Sequence, residues 1–283
     1  MEKPLDVTAF ANTGPQNFEL GVYAGPPSTT EDCLYLNVFT TGTGGPPKPV
    51  LVWIHGGGNF DGETNDYDGS KLATGGPLGT PIVVITVNYR MGLFGFLSES
   101  DLNAEGHPFA NYGILDQQAA LLWVRANVAA FGGDPSNVTF GGQSAGAIDT
   151  AANVMSPAAA GLFQRAIFQS SPIPNQYFLT EAAAVTLGNN FAAAAGCSDA
   201  ACLRALSTAR ILQLQGTPNA NGPFVAASAA IVDGTIVPVL PETAWVTGAY
   251  QHMPMLGGRL RTTGAAISGW ALPSISPVRH RLR

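Results

Sequence analysis

The chain is short of several things that would announce a function. Charged residues make up only 11% of its 283 residues, three cysteines and four histidines show no metal-ligand spacing, and no apolar run is long enough to cross a bilayer. These absences exclude an integral membrane segment and a metal site, and nothing asks for a cofactor. A net charge of −6 and a pI near 5.1 exclude electrostatic attraction to nucleic acid or to an anionic membrane. The opening residues, MEKPLDVTAF, lack the apolar stretch of a signal peptide. The expected compartment is therefore the cytoplasm, or the exterior if a leader has been lost. What remains is an ordinary globular composition, 46% hydrophobic, with length for one large core or two smaller domains.

Three cysteines cannot all pair. Cys197 and Cys202 stand five residues apart in a Gly- and Ala-rich turn, which suits a small disulfide loop in an oxidising compartment or two reduced, apolar residues in a reducing one. Cys33 is left over.

Apolar runs predict strands over residues 34–40, 50–55, 82–89, 138–141, 165–169 and 253–257. Helical pattern falls between them. The clearest helix spans 112–130, with Leu115, Ala119, Leu122, Trp123 and Ala126 spaced for one buried face, and the Gly132–Pro135 sequence GGDP stops it. Further helices are predicted after Ser144, over 181–195 and over 241–248. The alternation implies an α/β protein with a mainly parallel sheet covered by helices. Gly- and Pro-rich loops over 42–49 and 75–81 suit hairpin and crossover connections.

Two of these strands end in unusual sequence. The run over 138–141 leads into Gly142-Gln143-Ser144-Ala145-Gly146, and a helical pattern follows at once. A serine squeezed into a strand-to-helix turn points its Oγ out of the sheet, and flanking glycines let the two backbone segments approach closely. The strand over 50–54 leads into His55-Gly56-Gly57-Gly58, where consecutive glycines leave backbone N–H groups uncovered and free to face a developing oxyanion. Either half alone also reads as a plain turn or a helix N-cap. In this order, both serve one reaction, acyl transfer.

With these residues in view, the chain resembles the type-B carboxylesterase/lipase family, the cholinesterase-like branch of the α/β-hydrolases. The matching segments are EDCLYLNV at 31–38, VWIHGGG at 52–58 and NYRMGLFGFL at 88–97. NYGILDQQAALLWVRANVAAFGGDPSNVTFGGQSAGA at 111–147, GLFQRAIFQSS at 161–171 and VDGTIVP at 232–238 continue the series. The resemblance implies an α/β-hydrolase fold, Ser144 as the acylated nucleophile, the N–H groups of Gly57, Gly58 and Ala145 as the oxyanion hole, and a small-molecule or lipid ester as substrate. It also implies a Cys197–Cys202 disulfide, while the usual partner of Cys33 is replaced by Gly14. Gln143 stands where the family usually has a glutamate.

The resemblance stops at Gly258, which suggests a chain truncated at both ends, its fold incomplete on the C-terminal side. The domain then covers residues 1–258, and residues 259–283 form a disordered or non-native tail. That tail carries Arg259, Arg261, Arg279, Arg281 and Arg283, and no Asp or Glu follows Glu242. The family's acid, a glutamate after a PxxxG strand, is missing behind Pro254-Met255-Leu256-Gly257-Gly258, and so is its distant histidine. Of the four histidines, His55 belongs to the glycine loop, His107 reads as a solvated loop residue, and only His252 and His280 follow Ser144. Asp233 reads as a turn residue and Glu242 as a first-turn helix charge. Hydrolysis by this chain is expected to be slow or absent, with an inactive esterase fragment or a binding module as the alternatives.

Overall fold

A computed structural model describes residues 9–17, 25–106, 110–170, 175–216 and 228–258. Its main sheet contains β1 (Leu36–Phe39), β2 (Lys48–Ile54), β3 (Val83–Val87), β4 (Gly133–Gln143), β5 (Arg165–Gln169) and β8 (Met255–Gly258); β6 (Leu179–Thr180) and β7 (Ile231–Val232) pair separately. The helices are α1 (Ser70–Ala73), α2 (Gly92–Phe96), α3 (Ser100–Asn103), α4 (Tyr112–Asn127), α5 (Ala145–Met155), α6 (Glu181–Ala195), α7 (Ala200–Ala205), α8 (Thr208–Gln215) and α9 (Pro241–Thr247). All six predicted strands are present, in the order β1-β3-β2-β4-β5-β8, and only β1 runs antiparallel to its neighbour. Every residue of β3 is buried, as a central parallel strand covered on both faces requires. Val52, Ile54, Ile85, Val138 and Phe140 form the middle of the core, with Ala147 and Ala151 of α5 packed against them.

The structure corrects the sequence reading in three places. The 42–49 loop closes no hairpin, because β1 pairs with β3 and the chain crosses over to reach β2. The short helices α7 and α8, unpredicted, pack with α2 and α6 in a second cluster around Leu93, Phe191, Leu203 and Leu214. The third correction concerns α4, whose buried face carries Ile114, Gln117, Leu121 and Val124, whereas Leu122 is 46% exposed. The predicted face is off by one residue, about 100° of helix rotation. Counting apolar residues misled because α4 buries partnered polar side chains. Asp116 accepts two hydrogen bonds from the Arg90 side chain at 2.8 Å, Gln118 donates to Ser156 Oγ, and Gln117 donates to Asp149. A polar residue whose partners wait inside is buried at little net cost.

Candidate active site

The strand order reverses between β2 and β4. From β2 the chain moves outward on one side to β3, and from β4 outward on the other to β5 and β8. At such a switch point the two connections leave in opposite directions and open a crevice at the carboxyl ends of the strands. Ile54 at the end of β2 pairs with Gly142 near the end of β4, so the His55–Gly58 loop and Ser144 both emerge there.

Ser144 takes φ 54° and ψ −120°, a left-handed conformation that strains a non-glycine residue by about 1–3 kcal/mol. The surroundings enforce it. Its N–H donates to the Gln169 carbonyl at 2.8 Å, and its own carbonyl accepts from Ala147 and Ile148 at 3.0 and 3.1 Å, starting α5. A Cβ on Gly142 would lie 2.6 Å from the Ile54 carbonyl oxygen, and one on Gly146 only 2.2 Å from the same atom. Both flanking positions therefore have to be glycine.

The glycine loop packs directly on this turn. A Cβ on Gly56 would sit 3.1 Å from Ser144 Cβ and 2.6 Å from Gln143 Oε1, so the neighbouring segments touch without one. Gly57, at φ 114°, offers its carbonyl to the Phe60 and Asp61 N–H groups at 3.1 and 3.0 Å, and Gly58 follows at φ 61°. Among the described residues no acceptor engages the N–H groups of Gly57, Gly58 or Ala145. Ala145 opens α5, so the positive end of the helix dipole also faces this point. A hydroxyl and N–H donors without a partner among the described residues, beside a helix N-terminus, can together bind a carbonyl oxygen as it gains negative charge.

None of the described histidines is placed to take the proton of Ser144. His55 is fully buried, which pushes its pKa down to about 4; its Nδ1 lies 2.7 Å from the Gly56 carbonyl and its ring stacks on Tyr89 at 4.7 Å. It is a neutral structural residue of the loop. His252 lies six residues before Gly258, which is level with Gln169 and hence with Gln143. Along extended chain that is about 20 Å, at the opposite end of the sheet from Ser144. Asp233 spends its carboxylate on the N–H groups of Thr235, Ile236 and Val237 and on Asn111, and Glu242 pairs with Asn175. His107, His280 and the arginine-rich tail lie outside the described residues.

Sequence reasoning missed the polar cluster behind the loop. Asn59, directly after Gly58, is 3% exposed at φ 60°; its Nδ2 donates to Asp149 Oδ1 at 2.9 Å and its Oδ1 accepts from Tyr89 Oη at 3.0 Å. Gln117 Nε2 donates to Asp149 Oδ2 at 2.6 Å, and Asn153 Nδ2 donates to Gln117 Oε1. Asp149 is fully buried, and burial raises its pKa to about 7 against the opposing effect of the two amide donors. Its signal in the sequence is a lone carboxylate in the otherwise uncharged helix AGAIDTAANVM.

Elsewhere, Cys197 and Cys202 are disulfide-bonded with their Cα atoms 5.4 Å apart. Cys33 is buried and free, and burial lifts its thiol to about 11. A Cβ on Gly14 would come within 3.4 Å of its sulfur. No helix among the described residues is long and apolar enough to cross a membrane.

A parallel sheet with a strained serine between strand and helix, beside a glycine loop at the switch point, defines an α/β-hydrolase. The carboxylesterase family profile matches residues 2–275, and the chain belongs to that family. It is 40% identical to para-nitrobenzyl esterase of Bacillus subtilis, over 93% of this chain and 54% of the relative. It is 35% identical to carboxylesterase 1D of Rattus norvegicus, over 88% of this chain and 45% of the relative. A crystal structure of the Geobacillus stearothermophilus carboxylesterase EST55 superposes with a TM-score of 0.73 at 34% identity, covering 89% of this chain and 50% of that one. The chain thus spans about half the length of the curated relatives it matches.

Proposed function

We propose that the chain acts on carboxylic esters, with Ser144 as nucleophile and the N–H groups of Gly57, Gly58 and Ala145 as the oxyanion hole. The hydroxyl attacks the ester carbonyl, the alcohol leaves, and water releases the acid from the acyl-serine. The observation that carries this reading is the approach of Gly56 to Ser144 at the ends of two neighbouring strands, so close that a Cβ on Gly56 would lie 3.1 Å from Ser144 Cβ. Small-molecule or lipid esters fit the chemistry, and the name of the Bacillus relative makes p-nitrobenzyl esters the first to assay. The Cys197–Cys202 bond supports an oxidising, extracytoplasmic compartment. Residues 1–258 form the hydrolase domain in this reading, and the family profile runs on to residue 275.

A second reading, an inactive member of the family, is favoured by one specific observation: among the described residues no imidazole hydrogen-bonds Ser144, His55 being turned to the Gly56 carbonyl and Tyr89. Without a base, the oxyanion hole and substrate binding alone leave roughly 10³–10⁴ over water in serine proteases. That residual rate does not depend on the serine, so it should survive in Ser144→Ala, whereas in the esterase reading turnover of an activated aryl ester falls to background in that variant. A fluorophosphonate should add its mass to the peptide containing Ser144. Equal ester rates in the two proteins, with no adduct, would remove the enzyme reading and leave the inactive one.

A further inference from the structure

A carboxylate buried without a cation is expensive, and a neutral side chain could fill the space of Asp149. The two bonds it accepts explain its presence. An ionised carboxylate is an acceptor only, so both Asn59 and Gln117 must turn their amide N–H groups toward it, and the Asn59 carbonyl oxygen must then face the Tyr89 hydroxyl. Asn59 is held in this way from α5 and from the end of β3, while its main-chain carbonyl accepts from the Gly92 N–H. It is the residue after Gly58 and takes a left-handed φ, a conformation that asparagine adopts more readily than other non-glycine residues.

We propose that Asp149 is a positioning residue: its carboxylate, acting through Asn59, holds the exit of the glycine loop and so the Gly57 and Gly58 N–H groups beside Ser144. This rests on the esterase reading for its catalytic meaning, though not for its geometry. Protonation turns one carboxyl oxygen into a donor facing an amide N–H and breaks one of the two anchors. Burial sets that event near neutral pH. The groups facing Asp149 are Asn59 from the loop, Tyr89 after β3, Gln117 from α4 and Asn153 from its own helix. Tyr89 stays protonated because burial raises it, and His55 stays neutral because burial lowers it. The nearest ion pair on α4 joins Asp116 to Arg90.

Hydrogen–deuterium exchange of the peptide spanning 55–62, read as protection factors with the β3 peptide as reference, tests the anchor without requiring activity. In the wild type, loop protection should rise about tenfold from pH 6 to pH 8. Asp149→Asn should remain at the low value across that range, Asn59→Ala should lose the same protection, and the double variant should lose no more. Loop protection unchanged in Asp149→Asn, or a pH slope that survives there, overturns the proposal. If Asp149→Asn also loses β3 protection it has unfolded, and Asn59→Ala decides: an unaltered loop in that variant is equally fatal. Phosphonylation of Ser144 should slow about tenfold in Asp149→Asn and lose its pH dependence. Absence of any wild-type adduct sinks the esterase reading while the exchange result still decides the anchor. A loosened loop with an unchanged rate of adduct formation would overturn the positioning of the hole.

Discussion

At the carboxyl ends of β2 and β4, a Cβ at position 146 would press within 2.2 Å of a carbonyl oxygen, Ser144 and Asn59 are both left-handed, and a carboxylate lies buried. At the amino end of β8 the backbone is relaxed. His252 is exposed and rests on Tyr250 at 4.6 Å, Tyr250 rests on Trp245 at 4.4 Å, and a Cβ on Gly248 would meet nothing nearer than 3.7 Å. Among the described residues, the left-handed Ser144 and Asn59 and the N–H groups of Gly57, Gly58 and Ala145 that lack an acceptor lie together at the first of these ends of the sheet, where a hydroxyl and N–H groups are presented side by side.

The contrast can be tested most sharply with alanine at the two glycines. Gly146→Ala drives a Cβ into the Ile54 carbonyl and should cost at least about 3 kcal/mol in urea unfolding, or prevent folding. Gly248→Ala meets only the penalty of a left-handed φ of 75° and should cost about 1 kcal/mol. A cheaper change at 146 than at 248 would break the comparison.

Next in size is the pH dependence of stability at the strained end. Asp149 holds its proton in the folded state up to about pH 7, while an unfolded aspartate releases it near 3.8, so this group lowers stability as the pH rises from about 4 to about 7. Asp149→Asn should remove that loss and gain at least about 1 kcal/mol on the wild type at pH 8 relative to pH 4. His55 acts in the opposite sense. The folded chain refuses its proton until about pH 4 against 6.5 unfolded, so stability falls as the pH drops through that window. With Asp149 replaced, the acid limb of a melting-temperature profile should steepen. The smallest effect is expected at the relaxed end, where His252→Ala should change stability by no more than about 0.5 kcal/mol and leave Ser144 phosphonylation unaltered. A large fall in labelling would bring His252 back as a base and contradict the register of β5 and β8.

Much of the sheet was legible because parallel core strands are short apolar runs, and Val83–Val87 is buried at every position. The glycine loop and the serine turn were legible for a different reason, since glycine at 142 and 146 answers a steric demand that no other residue meets. The face of α4 was not legible. Gln117 and Asp116 look solvent-bound in one dimension, and only the arrival of Asp149 and Arg90 from distant segments makes their burial affordable. Asn59 was passed over for the same reason, because its importance lies in a bond to a residue 90 positions away.

The amino-acid sequence by itself determined which backbone segments bend sharply, where glycine is obligatory and that the strands bury both faces, because these are properties of short stretches of chain. Tertiary structure alone decided that the glycine loop and the serine emerge side by side, that Asp149 reaches Asn59, and that His252 falls at the far end. Those are distances across a sheet, and strand order and register set them through pairings between segments that have no proximity along the chain.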